Sequence, residues 1–137
     1  MSALSITASA VFGDGSQYET LPAGEVIAAG QAVYKSSSTW LLADCDASTT
    51  DSTKSVVIGV ALNSALVAGQ PVKVQKRGTI TVDAAITVGE IYVLDGGAGG
   101  ICPEADIATN DWITIIGVGA TSTTIKLGID PKLIKAA

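Results

Sequence analysis

The run VVIGVAL at residues 56–62 decides the fold class of this chain. It is nearly free of polar residues and rich in β-branched side chains, a pattern typical of a strand that is buried on both faces. A second run of the same kind, WITIIGV, occupies residues 112–118. In both runs a glycine stands between an isoleucine and a valine. We interpret both as buried strands of a β protein.

Shorter segments around these runs alternate apolar with polar residues, which is typical of strands with one wet face. PVKVQK at residues 71–76 and TITV at residues 79–82 alternate in this way. Between them, Arg77 and Gly78 predict a tight turn or a bulge. The other clear strands are residues 90–94 and 124–129.

Helix signals are weak, since no window of a dozen residues keeps an apolar period of 3.6 residues. Only residues 130–135, with Pro131 in the first turn, could begin a helix, and so short a segment needs packing to be stable. The glycine run at residues 96–100 lacks the Lys-Ser/Thr pair of a phosphate loop. It predicts a flexible hairpin tip, and the fold class predicted for the whole chain is all-β.

An internal repeat with an offset near 60 residues is the most informative feature. GQAVY at residues 30–34 precedes IGV at residues 58–60, and GEIYV at residues 89–93 precedes IGV at residues 116–118. Each half would supply a glycine turn, a strand, a return strand, a variable loop and a buried strand. Two such pseudo-repeats predict a small β-barrel or sandwich. Chance recurrence in a simple β composition is the alternative.

Composition indicates one domain that is poor in charge. The chain has 137 residues, of which 47% are hydrophobic and only 15% are charged, against roughly 25% in an average soluble domain. So few charges provide few ion pairs for a large exposed surface. We therefore expect much of the surface to lie against partners, and a neutral surface covered with Ser and Thr is the alternative.

Charge and hydropathy argue against nucleic acid and membranes as partners. The net charge is −5, and the one basic run, Lys73, Lys76 and Arg77, would be divided between the two faces of a strand. No apolar run reaches the 18 residues of a membrane-spanning helix. Residues 1–5 lack the basic and apolar regions of a signal peptide, so we expect none.

The residues that usually carry chemistry are scarce. The chain has no histidine, which excludes Ser-His-Asp triads and His-ligated zinc sites. Cys45 and Cys102 match no metal-binding spacing, and we expect reduced thiols, with a disulfide between them as the alternative. We therefore predict no enzymatic activity, no cofactor and no metal. The acidic residues of predicted loops are expected to be solvated rather than paired for hydrolysis: Asp44, Asp46, Asp51, Glu104, Asp106 and Asp111.

The N-terminal stretch lies outside the repeat. We predict an arm at residues 1–21, which orders against a partner, and a β-barrel-like domain at residues 22–137. An ordinary edge strand at residues 5–12 is the alternative. The residues predicted to contact a partner are Phe12 and Tyr18 on the arm, and Trp40 and Trp112 beside apolar strands, where anchoring of the core is the alternative.

Several of these segments, taken together, point to a family. They are AGQAV at residues 29–33, VIGVA at residues 57–61, GQPV at residues 69–72, IYVL at residues 91–94 and IIGV at residues 115–118. In this combination, residues 22–130 resemble the head decoration, or capsid cement, proteins of tailed bacteriophages. These motifs describe β architecture rather than an active site.

The resemblance implies a β-barrel-like or β-tulip-like protein, made in the host cytoplasm, that binds the exterior of an assembled icosahedral head. It implies a homotrimer that clamps neighbouring subunits of the major capsid protein and so stabilises the lattice. The competing hypothesis is a carbohydrate- or surface-binding β-module of a phage tail or adhesin. Such a module would need an exposed aromatic patch, and the chain holds only two Trp, three Tyr and one Phe.

Overall fold

The prediction of an all-β chain is confirmed. The computed structural model describes residue 4 and residues 6–45, 53–82, 84–108 and 111–136. These residues form two antiparallel sheets, and their only helical segments are short 3₁₀ turns, none of which could cross a membrane. The strands are β1 (Phe12–Gly13), β2 (Tyr18–Pro22), β3 (Ala32–Ser36), β4 (Thr39–Leu42), β5 (Gly59–Ala61), β6 (Pro71–Gln75), β7 (Gly78–Thr81), β8 (Ile91–Leu94), β9 (Ile101–Pro103), β10 (Trp112–Gly119) and β11 (Thr124–Lys135).

The two sheets repeat one topology. Strands β2 to β6, which we call the first module, lie in the order β2-β6-β5-β3-β4. Strands β7 to β11, the second module, lie in the order β7-β11-β10-β8-β9, and β1 adds a sixth strand beside β7. The five strands of each module, taken along the chain, thus occupy the same positions. The predicted pseudo-repeat therefore exists as a repeat of strand order.

Equivalent glycines make equivalent turns before the second strand of each module. Gly30 has φ of 91° and Gly89 has φ of 83°, a conformation that side chains with a Cβ rarely adopt. The Gly30 N–H donates to the Ala61 carbonyl at 2.8 Å, and the Gly89 N–H donates to the Gly119 carbonyl at 2.9 Å. Each turn is therefore fastened to the end of the fourth strand of its own module.

Close packing of neighbouring strands explains why both buried runs contain a glycine. A Cβ built on Gly59 would lie closer than 3.0 Å to the main-chain oxygen of Gln75, and one on Gly117 equally close to that of Lys126. In each module the fourth and fifth strands thus approach one another too closely for any side chain at this position. This close approach explains why Ile-Gly-Val recurs in the two modules.

The core has two parts. One lies between the modules and combines Tyr34 and Val60 of the first with Tyr92 and Ile125 of the second. The other lies inside the first module around Trp40. The main-chain bridge between Ala23 and Trp40 brings the ends of β2 and β4 together, so this sheet curls over its own core. A closed barrel needs a continuous ladder of main-chain hydrogen bonds between its first and last strands, and this single bridge does not provide one.

The predicted turn at Arg77 and Gly78 carries the chain from one sheet to the other. Gly78 has φ of 82°, and the buried Gln75 side chain spans the turn. Its amide nitrogen donates to the carbonyls of Arg77 at 2.6 Å and Thr79 at 3.2 Å. The Asp14 carboxylate accepts the Thr79 N–H at 2.9 Å. Side chains therefore fix the point where the modules join.

This junction gives the protein an acid-sensitive contact. Hydrogen bonds from the Ser16 hydroxyl and from the main-chain N–H groups of Thr79 and Ser16 lower the pKa of Asp14 from 3.8 to about 2. Because the folded-state pKa is depressed, the ionised carboxylate stabilises the fold above pH ~4, and this contribution disappears as the pH falls towards 2. We expect Asp14→Asn to unfold at lower urea concentration at neutral pH and to show a smaller loss of stability between pH 4 and pH 2. Parallel pH profiles for the two proteins would contradict this.

The part of the predicted arm that the structure describes contributes to both sheets. Phe12 pairs with Thr81 of β7, and β2 pairs with β6 from Tyr18 to Pro22. A 3₁₀ turn, and not the alternative edge strand, occupies Ala8–Ala10. Residues 12–22 are therefore built into the domain, because their backbone groups complete the edges of two sheets.

Two local predictions have opposite outcomes. The hairpin tip is confirmed, since β8 and β9 pair in register from Leu94 opposite Ile101. The helix start at residues 130–135 is wrong, since these residues are the end of β11, where Thr114 pairs with Pro131. Proline fits the first turn of a helix and also an edge position of a strand, and pairing with β10 decides between them here.

Candidate interaction surface

The four aromatic residues predicted to contact a partner lie in different surroundings. Phe12 on β1 is 61% exposed and Tyr18 on β2 is 51% exposed. Trp40 is wholly buried, and its indole N–H donates to the Val72 carbonyl at 3.1 Å. Trp112 is half-buried against the core, with the Lys135 ammonium 5.2 Å from its ring centre. The structure thus places Phe12 and Tyr18 at the surface, and Trp40 is a core anchor.

Strand register places Phe12 on the outer face of the second module. Phe12 is opposite Thr81, and Thr81 is opposite Thr124. On the same face, Val118 of β10 lies opposite Ile91 of β8, because directly paired residues point to the same side of a sheet. All of these side chains are turned away from the first module.

The same face continues into an apolar groove of about 430 Å³. Its lining includes Val93, Ile113, Ile115 and Ile134, and Ile134 is 58% exposed. Ile115 pairs with Val93, and a bulge between Ile115 and Gly117 keeps Val118 on their side of the sheet. We call the whole set the outer apolar face: Phe12, Ile91, Val93, Ile113, Ile115, Val118 and Ile134.

A second apolar patch lies at one end of the first module. Val26, Leu66 and Val67 are all exposed, Leu66 by 76%. The bridge between Ile27 and Ala65 holds their two loops side by side. Residues 62–70 connect β5 to β6, whereas only residues 120–123 make the equivalent connection in the second module. This apolar tip, Val26, Leu66 and Val67, therefore includes an insertion found in one module alone.

The cysteines belong to the interior. Cys45 and Cys102 are reduced, as expected, and both are buried. The Cys45 thiol donates to a carboxylate oxygen of the buried Asp111 at 3.4 Å. Asp111 is thus not the solvated loop residue predicted, while Asp46 and Asp51 lie outside the described residues. Within the described ranges, no group of three or more His, Cys, Asp or Glu side chains could hold a metal ion.

The thiols should be chemically inert in the folded protein. Burial is the main cause that raises the pKa of Cys102 to about 12, and the nearby Asp95 raises it further. Because the thiolate is the reactive form, we expect almost no reaction with Ellman's reagent at pH 8 until denaturant is added, and two thiols per chain afterwards. Fast labelling of either cysteine in the native protein would contradict the burial described.

Comparisons of the chain with protein-family models, with curated proteins and with solved structures find no match. What the molecule does must therefore be inferred from its own surface. The described part of that surface carries the outer apolar face and the apolar tip, in a protein of low charge.

Proposed function

We propose that this chain is a capsid decoration protein of a tailed bacteriophage. It binds the outside of the assembled head as a homotrimer and stabilises the lattice of the major capsid protein. The observation that supports this most is the outer apolar face, where β-branched side chains of β8, β10 and β11 stand on the solvent side of the sheet. Apolar side chains grouped on the solvent side of a sheet mark a binding surface more often than single exposed ones do.

The chemistry of this face suits a protein partner. Charged groups border the apolar residues of β8 and β10: Lys126 lies opposite Val118, and Asp130 lies opposite Ile115 and is paired with Lys132 at 2.6 Å. Lys132 and Glu104 also line the groove. An apolar centre with a polar rim is the usual anatomy of a protein interface. Binding would remove the β-branched side chains from water at a gain of roughly 25 cal/mol per Å² of apolar surface, less the costs of association.

Two separate apolar areas suit a protein that contacts more than one neighbour. We assign the outer apolar face to the major capsid protein and the apolar tip to the next copy around a three-fold axis. A head-to-tail contact closes into a ring when the rotation is 120°, so one patch and its complement would suffice for a trimer. A protein that binds only the assembled lattice stabilises it by mass action.

The competing sugar-binding function receives less support. The two exposed predicted aromatics, Phe12 and Tyr18, belong to different sheets. The Lys73 ammonium lies 3.8 Å from the ring centre of Tyr18 and covers one of its faces. These two rings therefore do not form the shared flat platform on which a sugar would stack.

Thermal rupture of heads tests the proposed function. Heads of the parent phage that lack this protein are heated with and without it, and release of DNA is followed with an intercalating dye. We expect the rupture temperature to rise with protein concentration and to reach a plateau when the sites are full. An unchanged rupture temperature, or a hit on a glycan array, would overturn the proposal.

A further inference from the structure

The longest strand of the protein has an open edge. On one side, β11 pairs with β10 as far as Trp112 opposite Lys135. On the other side, β7 covers only its beginning, where the last pair is Leu127 opposite Gly78. In the first module, β2 and β6 correspond to β7 and β11, and there β2 pairs with β6 along the whole length of β6. Among the described residues, the edge of β11 beyond Leu127 thus has no strand beside it.

An open groove of about 710 Å³ runs along this edge. Gly128, Ile129 and Pro131 of β11 line one wall, and residues 56–58 and 76–78 line the other. Gly128 is exposed, so the backbone can be approached closely there. Pro131 lacks an N–H and ends the usable edge, which leaves room for a short added strand.

The groove is basic in an otherwise acidic protein. Lys76, Arg77 and Lys126 line it, and its described lining contains no Asp or Glu. Lys76 is paired with Glu19 at 2.7 Å. Within the part of the chain that the structure describes, Arg77 and Lys126 form no ion pair. Two cations are therefore available to a ligand in a protein with a net charge of −5.

We propose that this groove binds an extended, acidic segment of a partner protein, which adds a strand to the open edge of β11. Main-chain hydrogen bonds to β11 would hold the segment, in the manner of other strand-addition sites. Its acidic side chains would face Arg77 and Lys126, and its apolar side chains would lie against Ile58, Leu127 and Ile129. The groove shares Lys126 with the border of the outer apolar face, whereas Arg77 lines the groove alone, so Arg77→Glu can abolish binding here while capsid binding survives.

Peptide binding tests the proposal. The probe is a fluorescein-labelled hexapeptide with alternating Glu and Val, and fluorescence anisotropy reports its affinity at two salt concentrations. We expect saturable binding that weakens with salt, and at least tenfold weaker binding to Arg77→Glu. The matched control is Lys54→Glu, an equal change of charge at an exposed residue outside the groove, which should bind as the wild type does.

A second probe separates strand addition from simple charge attraction. The same peptide, N-methylated at alternate residues, keeps its charge and loses main-chain donors, so we expect its binding to be lost. In ¹⁵N spectra, the unmodified peptide should shift the amide signals of Gly128 and Ile129. The proposal is overturned if the peptide does not bind at millimolar concentration, if the methylated peptide binds equally well, or if single-stranded RNA binds in its place.

Discussion

Gly117→Ala is expected to lower the free energy of unfolding by about 3 kcal/mol, a large loss for a single methyl group. The added Cβ meets the main-chain oxygen of Lys126 on the adjacent strand β11, and a backbone atom cannot turn aside as a side chain can. The two strands must separate, which breaks the longest ladder of the second module. Urea unfolding followed by circular dichroism measures the change.

The control for this substitution lies on the neighbouring strand. A Cβ on Gly128 of β11 meets nothing within 4 Å, so Gly128→Ala should change stability by less than ~0.5 kcal/mol. Gly59→Ala, at the equivalent position of the first module, should cost about as much as Gly117→Ala. If Gly117→Ala and Gly128→Ala unfold at the same urea concentration, the close approach of strands in the two modules is not the reason for the repeated Ile-Gly-Val.

The double substitution Ile91→Asp with Val118→Asp is expected to weaken binding to phage heads by more than ~100-fold, equivalent to about 3 kcal/mol. These residues lie opposite one another at the centre of the outer apolar face and are partly exposed. Two carboxylates there would be buried in the complex beside a single cation, Lys126, so at least one would lack a partner, which is strongly unfavourable. Binding is measured by co-sedimentation of the protein with heads.

A matched variant distinguishes a local effect from a change of net charge. Thr20→Asp with Ser37→Asp adds the same two carboxylates at exposed positions of the first module, on β2 and between β3 and β4, away from the outer apolar face. It should bind heads with an affinity close to that of the wild type. If the variant with Ile91→Asp and Val118→Asp binds heads as tightly as the wild type does, and its circular dichroism spectrum is that of a folded protein, the outer apolar face is not part of the interface.

The two apolar runs show how far sequence reasoning reaches. VVIGVAL supplies β5, which is buried on both faces as predicted, because the first module curls over Trp40 on one side and packs on the second module with the other. WITIIGV supplies β10, whose outer residues Ile113, Ile115 and Val118 remain partly exposed. A continuous apolar run does not reveal whether its second face is covered by its own chain or left open.

The repeat, the strands at residues 12–22 and the open edge of β11 differ in how clearly the sequence indicates them. The repeat was visible because glycine turns and buried strands recur in order, and the strand order of both modules follows it. The strands at residues 12–22 were harder to recognise because Phe12–Gly13 is only two residues long and has no pattern. The open edge of β11 was beyond prediction, since it depends on how far β7 extends beside it.

The most direct measurement of the central claim is quantitative co-sedimentation of the wild-type chain with assembled heads and with unassembled major capsid protein. If the exposed apolar residues of this chain bind the assembled lattice, the protein should pellet with heads up to a fixed number of copies per capsid subunit. It should not bind unassembled subunits. Recovery of the protein in the supernatant at every head concentration would contradict the account.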